Sequence, residues 1–218
     1  MATTRLQLYN GALLICGERA LASITEAREP RRLLDGVWAD GGVRACLEQG
    51  QWFFAMRTQK IGYDTAISPA FGYARAFAKP SDWVNTTGVW QDEFMRVPLL
   101  QYTDEAGYLF ASLDEIYWRY VSDGDDYGNN FALWPYSFTE FVKAYFASKI
   151  IHKLTDDKQR IDAIMKPRTG TLAEALLKAK SASAMAEPTK IPPTGSWNRA
   201  RQGSGRNRDG GNTGSLIG

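Results

Sequence analysis

The chain has 218 residues, of which 44% are hydrophobic and 23% are charged, and its formal net charge is +2. This composition is typical of a globular protein with one fairly large domain, or with one domain, an insertion and a tail. It excludes a transmembrane anchor, because no uninterrupted apolar run is longer than that of residues 12–16, whereas a bilayer needs about 18. A net charge this close to zero does not support a general nucleic-acid binder.

The first 50 residues predict two amphipathic helices. Thr3 or Thr4 can cap a first helix whose apolar residues recur at three- and four-residue intervals, and Gly17 is a natural C-terminal stop. Pro30 opens a second helix that extends to the end of this region. The glycine pair at residues 41–42 falls inside that second helix and marks either a bend or a point of close packing.

Cysteine usage indicates a reducing compartment. Cys16 and Cys46 are the only two cysteines, and each falls in a predicted helix among apolar neighbours, where cysteine usually acts as a small buried hydrophobe. No framework of cysteine spacing supports a disulfide between them. We therefore expect the protein to mature in the cytosol.

The middle of the chain changes to the composition of β-strands. Short runs rich in aromatic and β-branched residues lie at residues 89–94, 99–102, 108–111 and 115–121. Residues 103–107, which end in glycine, predict a hairpin-type connection between two of these runs. Together they predict one small antiparallel sheet between about residues 82 and 122.

Helical periodicity returns after Pro135. Apolar residues then follow an i, i+3, i+4, i+7 pattern, with Ser137 or Thr139 available as an N-cap. Three helices are predicted here, at residues 137–150, 155–166 and 171–185.

These elements predict an α+β fold with three parts. We expect a mainly α-helical bundle domain formed by residues 1–81 and 132–187. Residues 82–131 form an inserted small antiparallel β-sheet region. Residues 188–218 form an extended, flexible and basic C-terminal arm.

The arm differs in composition from the rest of the chain. Seven of its residues are glycine, three are proline, and five basic residues against one acidic residue give it a net charge of +4. Its few apolar side chains cannot build a core. Trp197, which Arg199 and Arg201 flank, is also a candidate anchor for a partner, because Trp and Arg are favoured at interfaces. A solvated tail and an interface arm are both compatible with this segment.

The residue types that usually carry catalysis are sparse. His152 is the only histidine and lies near the end of a helix between lysines, which favours a partly exposed helix-end side chain over a member of a catalytic triad. One histidine and two distant cysteines supply no zinc-site spacing, and the phosphate-binding glycine motifs are absent. We predict no catalytic residue, no cofactor, no metal and no enzymatic activity.

Two acidic patterns match functional motifs only in part. Residues 123–130 fit a calcium-binding EF-hand loop at its third and sixth positions, but Trp134 stands where a bidentate glutamate is required, so we predict a polar turn. The doublets at 92–93, 104–105 and 114–115 suggest the two carboxylates of a glycosidase. Adjacent residues of a strand point to opposite faces, so a doublet is not itself a catalytic pair. We interpret the doublets as solvated turn or edge acids.

Six short segments carry a family resemblance by their order and spacing. They are YNGAL at 9–13, QWFFA at 51–55, FGYA at 71–74, PSDW at 80–83, YWRYVSD at 117–123 and FVKAYFA at 141–147. Over about residues 8–186 the chain resembles the tail tubular protein A family, the head-to-tail adaptors of short-tailed bacteriophages. It departs from the family pattern at Gly11, at the glycine pair 41–42 and in the aromatic and acidic stretch 123–137.

The resemblance implies a structural virion protein located in the tail or neck and assembled in the host cytoplasm. Its members form a ring, usually of twelve copies, between the portal protein and a tail nozzle of the tubular protein B type. Genomic DNA passes through the channel during ejection without specific binding, and no membrane is involved. Because C-terminal segments of such adaptors reach onto the portal, the resemblance implies these portal-binding residues: Ile191, Trp197, Arg199, Arg201, Arg206 and Arg208.

Two other classes of function stay open on the residues alone. One is a tail-associated cell-wall hydrolase, although no convincing pair of acids supports it. The other is a nucleic-acid-binding module that uses the basic arm, which would show as duplex affinity that falls steeply with salt.

Overall fold

The computed structural model describes residues 3–70 and 72–186, and this part of the chain is a mixture of helices and antiparallel sheets. Six α-helices and six strands follow one another along it. The α+β fold class that the sequence predicts is confirmed. The predicted C-terminal arm, residues 188–218, lies outside the described residues. None of the described helices is both long enough and apolar enough to cross a membrane.

Apart from α2 and α3, which the sequence predicts as one helix, the helices begin and end close to the predicted positions. Their bounds are α1 Arg5–Cys16, α2 Glu29–Ala39, α3 Gly42–Glu48, α4 Tyr136–Leu154, α5 Lys158–Met165 and α6 Thr171–Ala186. At the start of α1 the Thr4 side chain accepts a hydrogen bond from the Gln7 amide, while the Gln7 side chain accepts one from the Thr4 amide. Gly17 ends the helix in the left-handed conformation, with φ +75°, a backbone geometry that glycine adopts without steric cost.

Helix α4 is the centre of the helical part. The other five helices all pack against it, and its fully buried aromatic residues are Phe138, Phe141 and Phe146. Trp52, from the aromatic segment after α3, is also fully buried and packs against the first two of these rings. The core therefore forms where the apolar side of α4 meets the surrounding helices.

The glycine pair separates two helices, so the single helix predicted from Pro30 onward is wrong. Helix α2 ends at Ala39, and Gly41 adopts φ +79° before α3 begins at Gly42. A Cβ atom at Gly42 would lie 2.7 Å from the Val37 carbonyl oxygen and 3.1 Å from the Phe146 ring. The pair thus serves both as the break between the two helices and as a point of close helix packing.

Replacement of Gly42 by alanine should destabilise the protein. The added methyl group meets a backbone carbonyl that cannot rotate away, and overpacking of this kind costs about 1–3 kcal/mol. Gly36→Ala is a matched control, because nothing lies within 4 Å of its Cβ position on α2 and alanine is favoured over glycine in a helix by about 0.5–1 kcal/mol. In urea denaturation, Gly36→Ala should be the most stable protein, wild type should follow, and Gly42→Ala should be the least stable. Equal stability of the Gly42 variant and wild type would contradict this packing.

The strands form two small antiparallel sheets, where the sequence predicts one. They are β1 Met56–Gly62, β2 Arg75–Ala78, β3 Trp83–Trp90, β4 Thr103–Glu105, β5 Tyr108–Ala111 and β6 Glu115–Ser122. The first sheet has the order β1-β6-β3 and the second the order β2-β5-β4. Strands β1 and β2 precede residue 82, so the β-rich part begins earlier than the predicted insertion.

The hairpin between β4 and β5 is tighter than predicted. Residues 103–105 pair as a strand, and only Ala106 and Gly107 form the turn, with φ +49° and +86°. Positive φ at both central residues gives the twist that two-residue hairpins favour. Residues 99–102, predicted as a strand, lie outside the named strands, but Leu99 is buried in the β core.

The two sheets share one apolar core. Phe77 and Leu109 from the second sheet contact the cluster that contains Val89 and Trp118 of the first sheet. Val121, which follows Tyr120 on β6 and therefore points to the opposite face, belongs to the core of the helices instead. The first sheet thus connects the helical part to the second sheet.

Candidate assembly surfaces

A buried polar network joins the start of β3 to the neighbouring strands. Its centre is Asp82, whose side chain is 15% exposed. The carboxylate accepts hydrogen bonds from Arg57 Nη1 at 2.8 Å, Tyr120 Oη at 3.0 Å and Ser122 Oγ at 2.5 Å. The network brings together two segments that carry the family resemblance, residues 80–83 and 117–123.

The network favours an ionised Asp82 and a protonated Tyr120 and Arg57 at neutral pH. Burial alone would raise the pKa of Asp82, but hydrogen bonds from Ser122, Arg57 and Tyr120 outweigh it and lower the pKa. Burial raises the pKa of Tyr120, and the hydrogen bond to Asp82 raises it further. The hydrogen bond to Asp82 also raises the pKa of Arg57. An acid with a lowered pKa beside a tyrosine with a raised pKa is suited to holding strands together at neutral pH.

Arg44 connects the helical part to this network. It extends from α3 and donates to the Asp123 carboxylate and, at 2.8 Å, to the Trp83 carbonyl oxygen. Its two partners lie at the end of β6 and the start of β3. One guanidinium therefore ties a helix to both strands in a fixed geometry.

Large apolar side chains are exposed on the helical part. Leu177 is 68% exposed and Met185 85% exposed on α6, and Leu14 is also exposed on α1. Helix α6 buries only a narrow stripe around Ala179 and Ser183, so its other side faces outward. Scattered exposed apolar side chains are common on monomers, so Leu177 and Met185, two on one helix, mark no more than a candidate contact surface.

A second exposed apolar group lies on the loop between β3 and β4. Phe94 is 67% exposed and Leu100 83% exposed. The Asp92 carboxylate accepts hydrogen bonds from the Val97 and Arg96 amides at 2.8 and 3.0 Å, which lowers the pKa of Asp92. The loop therefore presents its apolar side chains in a held conformation.

An apolar groove of about 470 Å³ adds to the contact area on the β part. Ile67, Pro69, Tyr73 and Phe110 line it, and it reaches the edge strand β4. Tyr73 also lines a second depression with Leu100. The exposed loop and the groove thus form neighbouring parts of one candidate surface.

His152 and the acidic loop at residues 123–130 lie where their interpretation as structural residues predicts. His152 is exposed in the last turn of α4, with Nε2 3.1 Å from Met165 Sδ, as predicted for a helix-end histidine. Residues 123–130 form the predicted polar turn, which the Gly128 amide closes on the Ser122 carbonyl at 3.1 Å. Within residues 3–70 and 72–186, no group of three or more His, Cys, Asp or Glu side chains is placed to hold a metal ion.

The acidic doublets are engaged in local structure. Asp92 caps its own loop, and the other doublets form ion pairs with basic residues on neighbouring segments. The pairs are Lys79–Asp104 at 2.7 Å, Lys60–Glu115 at 2.7 Å and Arg75–Asp114 at 3.0 Å. These contacts fit the interpretation of the doublets as turn and edge acids.

Both cysteines are buried and free, as the sequence predicts. Burial raises the pKa of the Cys16 thiol to about 11 and also raises that of Cys46. Thiols that stay protonated at neutral pH react slowly with electrophiles.

The six predicted portal-binding residues, from Ile191 to Arg208, lie outside the described residues. The structure instead identifies exposed apolar positions that the sequence prediction missed, on α6 and on the loop after β3. The sequence held a weak signal for the exposure of Leu177 and Met185, since both lie off the apolar stripe of the helix predicted at residues 171–185. No protein-family model and no curated protein sequence matches this chain.

Proposed function

We propose that this chain is a structural virion protein, the head-to-tail adaptor of a short-tailed bacteriophage. Twelve copies form a ring between the portal protein and the tail nozzle in the neck of the virion. The channel of the ring conducts genomic DNA during ejection. The chain performs this role as a scaffold, without a catalytic site.

The observation that carries this proposal is the presence of exposed apolar surfaces on both parts of the fold. A closed ring requires heterologous contacts, in which one face of a copy binds a different face of the next copy. The exposed apolar side chains of Leu177 on α6 and of Phe94 and Leu100 on the β part are candidates for the two faces of such a contact.

The polar groups of the described residues support a scaffold role. Asp82 accepts three side-chain hydrogen bonds, and the partners that lower its pKa also hold three strands together. A catalytic acid or base is instead tuned toward the working pH. The contacts of Arg44 with Asp123 and with the Trp83 carbonyl also join the helical part to the strands, as a load-transmitting ring requires.

The distribution of charge suits a channel for DNA. The arm carries a net charge of +4, so residues 1–187 carry −2. A basic channel would retain DNA through salt-dependent phosphate contacts, whereas a weakly acidic body lets a polyanion slide. The arm, with Trp197 and its arginines, is then available to bind the portal.

The deciding experiment is imaging of the purified chain with and without the portal protein encoded in the same genome. Negative-stain micrographs should show rings with a central channel, docked on the portal. Deletion of residues 188–218 should abolish portal binding and leave the circular dichroism spectrum of the helices unchanged. Unchanged portal binding after the deletion would contradict the assigned role of the arm.

Point variants on α6 test the ring contact itself. Leu177→Asp should prevent ring formation, because it places a charge in an apolar interface. Lys158→Asp, an exposed change on α5, is the control and should leave rings intact. A solitary chain that degrades cell-wall material in a zymogram, or that binds duplex DNA with steep salt dependence, would replace the adaptor role by one of the two alternative functions.

A further inference from the structure

The outward side of α6 has the residue pattern of a helix that binds in a groove. Helix α6 buries Ala179 and Ser183 against the rest of the fold, whereas Leu177 and Met185 are exposed. The exposed Ser181 lies midway between these two apolar residues in the sequence, so all three share one side of the helix. Leu177 and Met185 therefore form two apolar anchors about 12 Å apart along the helix axis.

The apolar groove that reaches the edge strand β4 has the chemistry to receive such a helix. Its volume of about 470 Å³ lies within the range of about 300–1,000 Å³ that is usual for binding pockets. Ile67, Tyr73 and Phe110 supply apolar walls, and the exposed residues Ser68 and Glu105 also line it. Amphipathic helices bind apolar grooves through anchors spaced by one or two turns. We call this feature the β4 groove.

The segments that carry the two surfaces have opposite charges. Residues 166–186, which are α6 and the turn before it, contain four basic residues and one acidic residue, a net charge of +3. Residues 91–105, which include the β3–β4 loop and β4, contain four acidic residues and one basic residue, a net charge of −3. Because like charges repel, this distribution favours a contact between the two different surfaces over a contact between two copies of either one.

Each surface also presents a charged side chain that can pair with another copy. Lys180 on α6 and Glu105 at the β4 groove are exposed, and neither forms an ion pair within residues 3–70 and 72–186. Asp104, the neighbour of Glu105, is instead engaged by Lys79 at 2.7 Å. Glu105 is therefore the acid of β4 that is available to a cation from outside.

We propose that α6 of one copy binds in the β4 groove of the next copy of this chain. Leu177 and Met185 pack against the apolar walls of the groove, and Lys180 pairs with Glu105. This pairing rests on the proposed ring and specifies which two faces form its contact. Because the two faces differ, each copy binds one neighbour through α6 and another through its groove, and the contact repeats around a closed ring.

Reversal of the charges tests this pairing in the full-length chain. Lys180→Glu and Glu105→Lys should each weaken ring assembly about two- to fivefold, the range for an exposed charge pair, because each puts like charges at the contact. A variant that carries both changes should recover wild-type assembly. Lys158→Glu on α5 is the control, and it should neither weaken assembly nor rescue Glu105→Lys. Sedimentation velocity measures assembly, and 0.5 M NaCl should reduce the differences among variants, since salt screens exposed charges.

Cross-linking between copies tests the position of the helix. Both native cysteines are buried, so one chain can carry Ser181→Cys between the α6 anchors while another carries Ser68→Cys at the β4 groove. A short bismaleimide should join the two chains in mixed rings. The yield should be several-fold higher than with the control partner Asp40→Cys, an exposed position at the end of α2.

The outcomes separate this pairing from the adaptor role. Rescue by the double charge variant, together with the selective cross-link, would support the pairing. Rings that assemble without such rescue, or that cross-link equally at the groove and control positions, would overturn the pairing and leave the adaptor role standing. A chain that forms no ring with or without the portal protein would overturn both.

Discussion

Phe138→Ala should lower the free energy of unfolding by about 3–5 kcal/mol, the usual cost of truncating a buried phenylalanine. The Phe138 ring is only 1% exposed. Four aromatic rings surround it, with centroids at 4.8 Å for Trp52 and Phe54, 5.0 Å for Trp134 and 6.1 Å for Phe141. Alanine would remove all of these contacts and leave a cavity at the centre of the helical core.

Urea denaturation followed by circular dichroism measures this effect. Tyr136→Ala is the matched control, because Tyr136 is an aromatic residue on the same helix but is 79% exposed. An exposed substitution of this kind should change the unfolding free energy by no more than about 0.5 kcal/mol. A Phe138 variant as stable as the Tyr136 variant would show that the cluster does not form the core.

Asp82→Ala should be the next most damaging substitution, with a loss of about 3 kcal/mol at neutral pH. The change removes the acceptor for three donors and leaves the charge of Arg57 without its carboxylate partner. Asp82→Asn, which keeps the shape but not the charge, should be intermediate. Glu93→Ala, at an exposed acid, should have little effect on the denaturation midpoint.

The stability difference between wild type and Asp82→Ala should depend on pH. The folded protein holds the pKa of Asp82 below its ordinary value of 3.8, so folding favours the ionised carboxylate. The contribution of this group is therefore complete above about pH 4 and is lost as the pH falls through the lower value in the folded state. Unfolding curves at pH 7 and pH 3 should show a smaller difference at pH 3; an identical difference at both pH values would contradict the ionic role of Asp82.

Much of the local structure could be predicted because its signals lie within a few residues of one another. Thr4 and Gly17 bracket α1 through a capping box and a left-handed turn, and the apolar period after Pro135 matches α4. Strand β6 was similarly evident from its dense aromatic and β-branched residues. Such signals depend on backbone sterics and local hydrogen bonds, which act in any context.

The structure corrects the sequence predictions where distant contacts decide the result. Strand β1 has a largely polar sequence, MRTQKIG, and is a strand because it pairs along its whole length with β6. From the sequence, the glycine pair could either bend one helix or end it. In the structure it ends α2, and Gly42 packs closely against Val37 and Phe146 at the start of α3. Neither outcome is encoded within a single window of the sequence.

The candidate surfaces also combine features that the sequence predicts with features that only the tertiary structure decides. Composition identified the basic arm and Trp197, because charge and glycine content are sums over the chain. The position of Asp123 and Asp125 beside Trp38 and Phe131 depends on how α2, α3 and the loop after β6 pack together. The exposure of Leu177 and Phe94 likewise depends on which faces the neighbouring elements cover.

By itself, the sequence determined the mixed α+β class, the approximate bounds of α1, α4 and α6, strands β5 and β6, and the distinct composition of residues 188–218. These properties follow from local backbone preferences and from composition. Only the tertiary structure decided that the strands form two sheets, that Asp82 collects Arg57, Tyr120 and Ser122, and which apolar side chains face outward. These features join residues far apart in the chain, and their formation depends on the free energy of packing the whole fold.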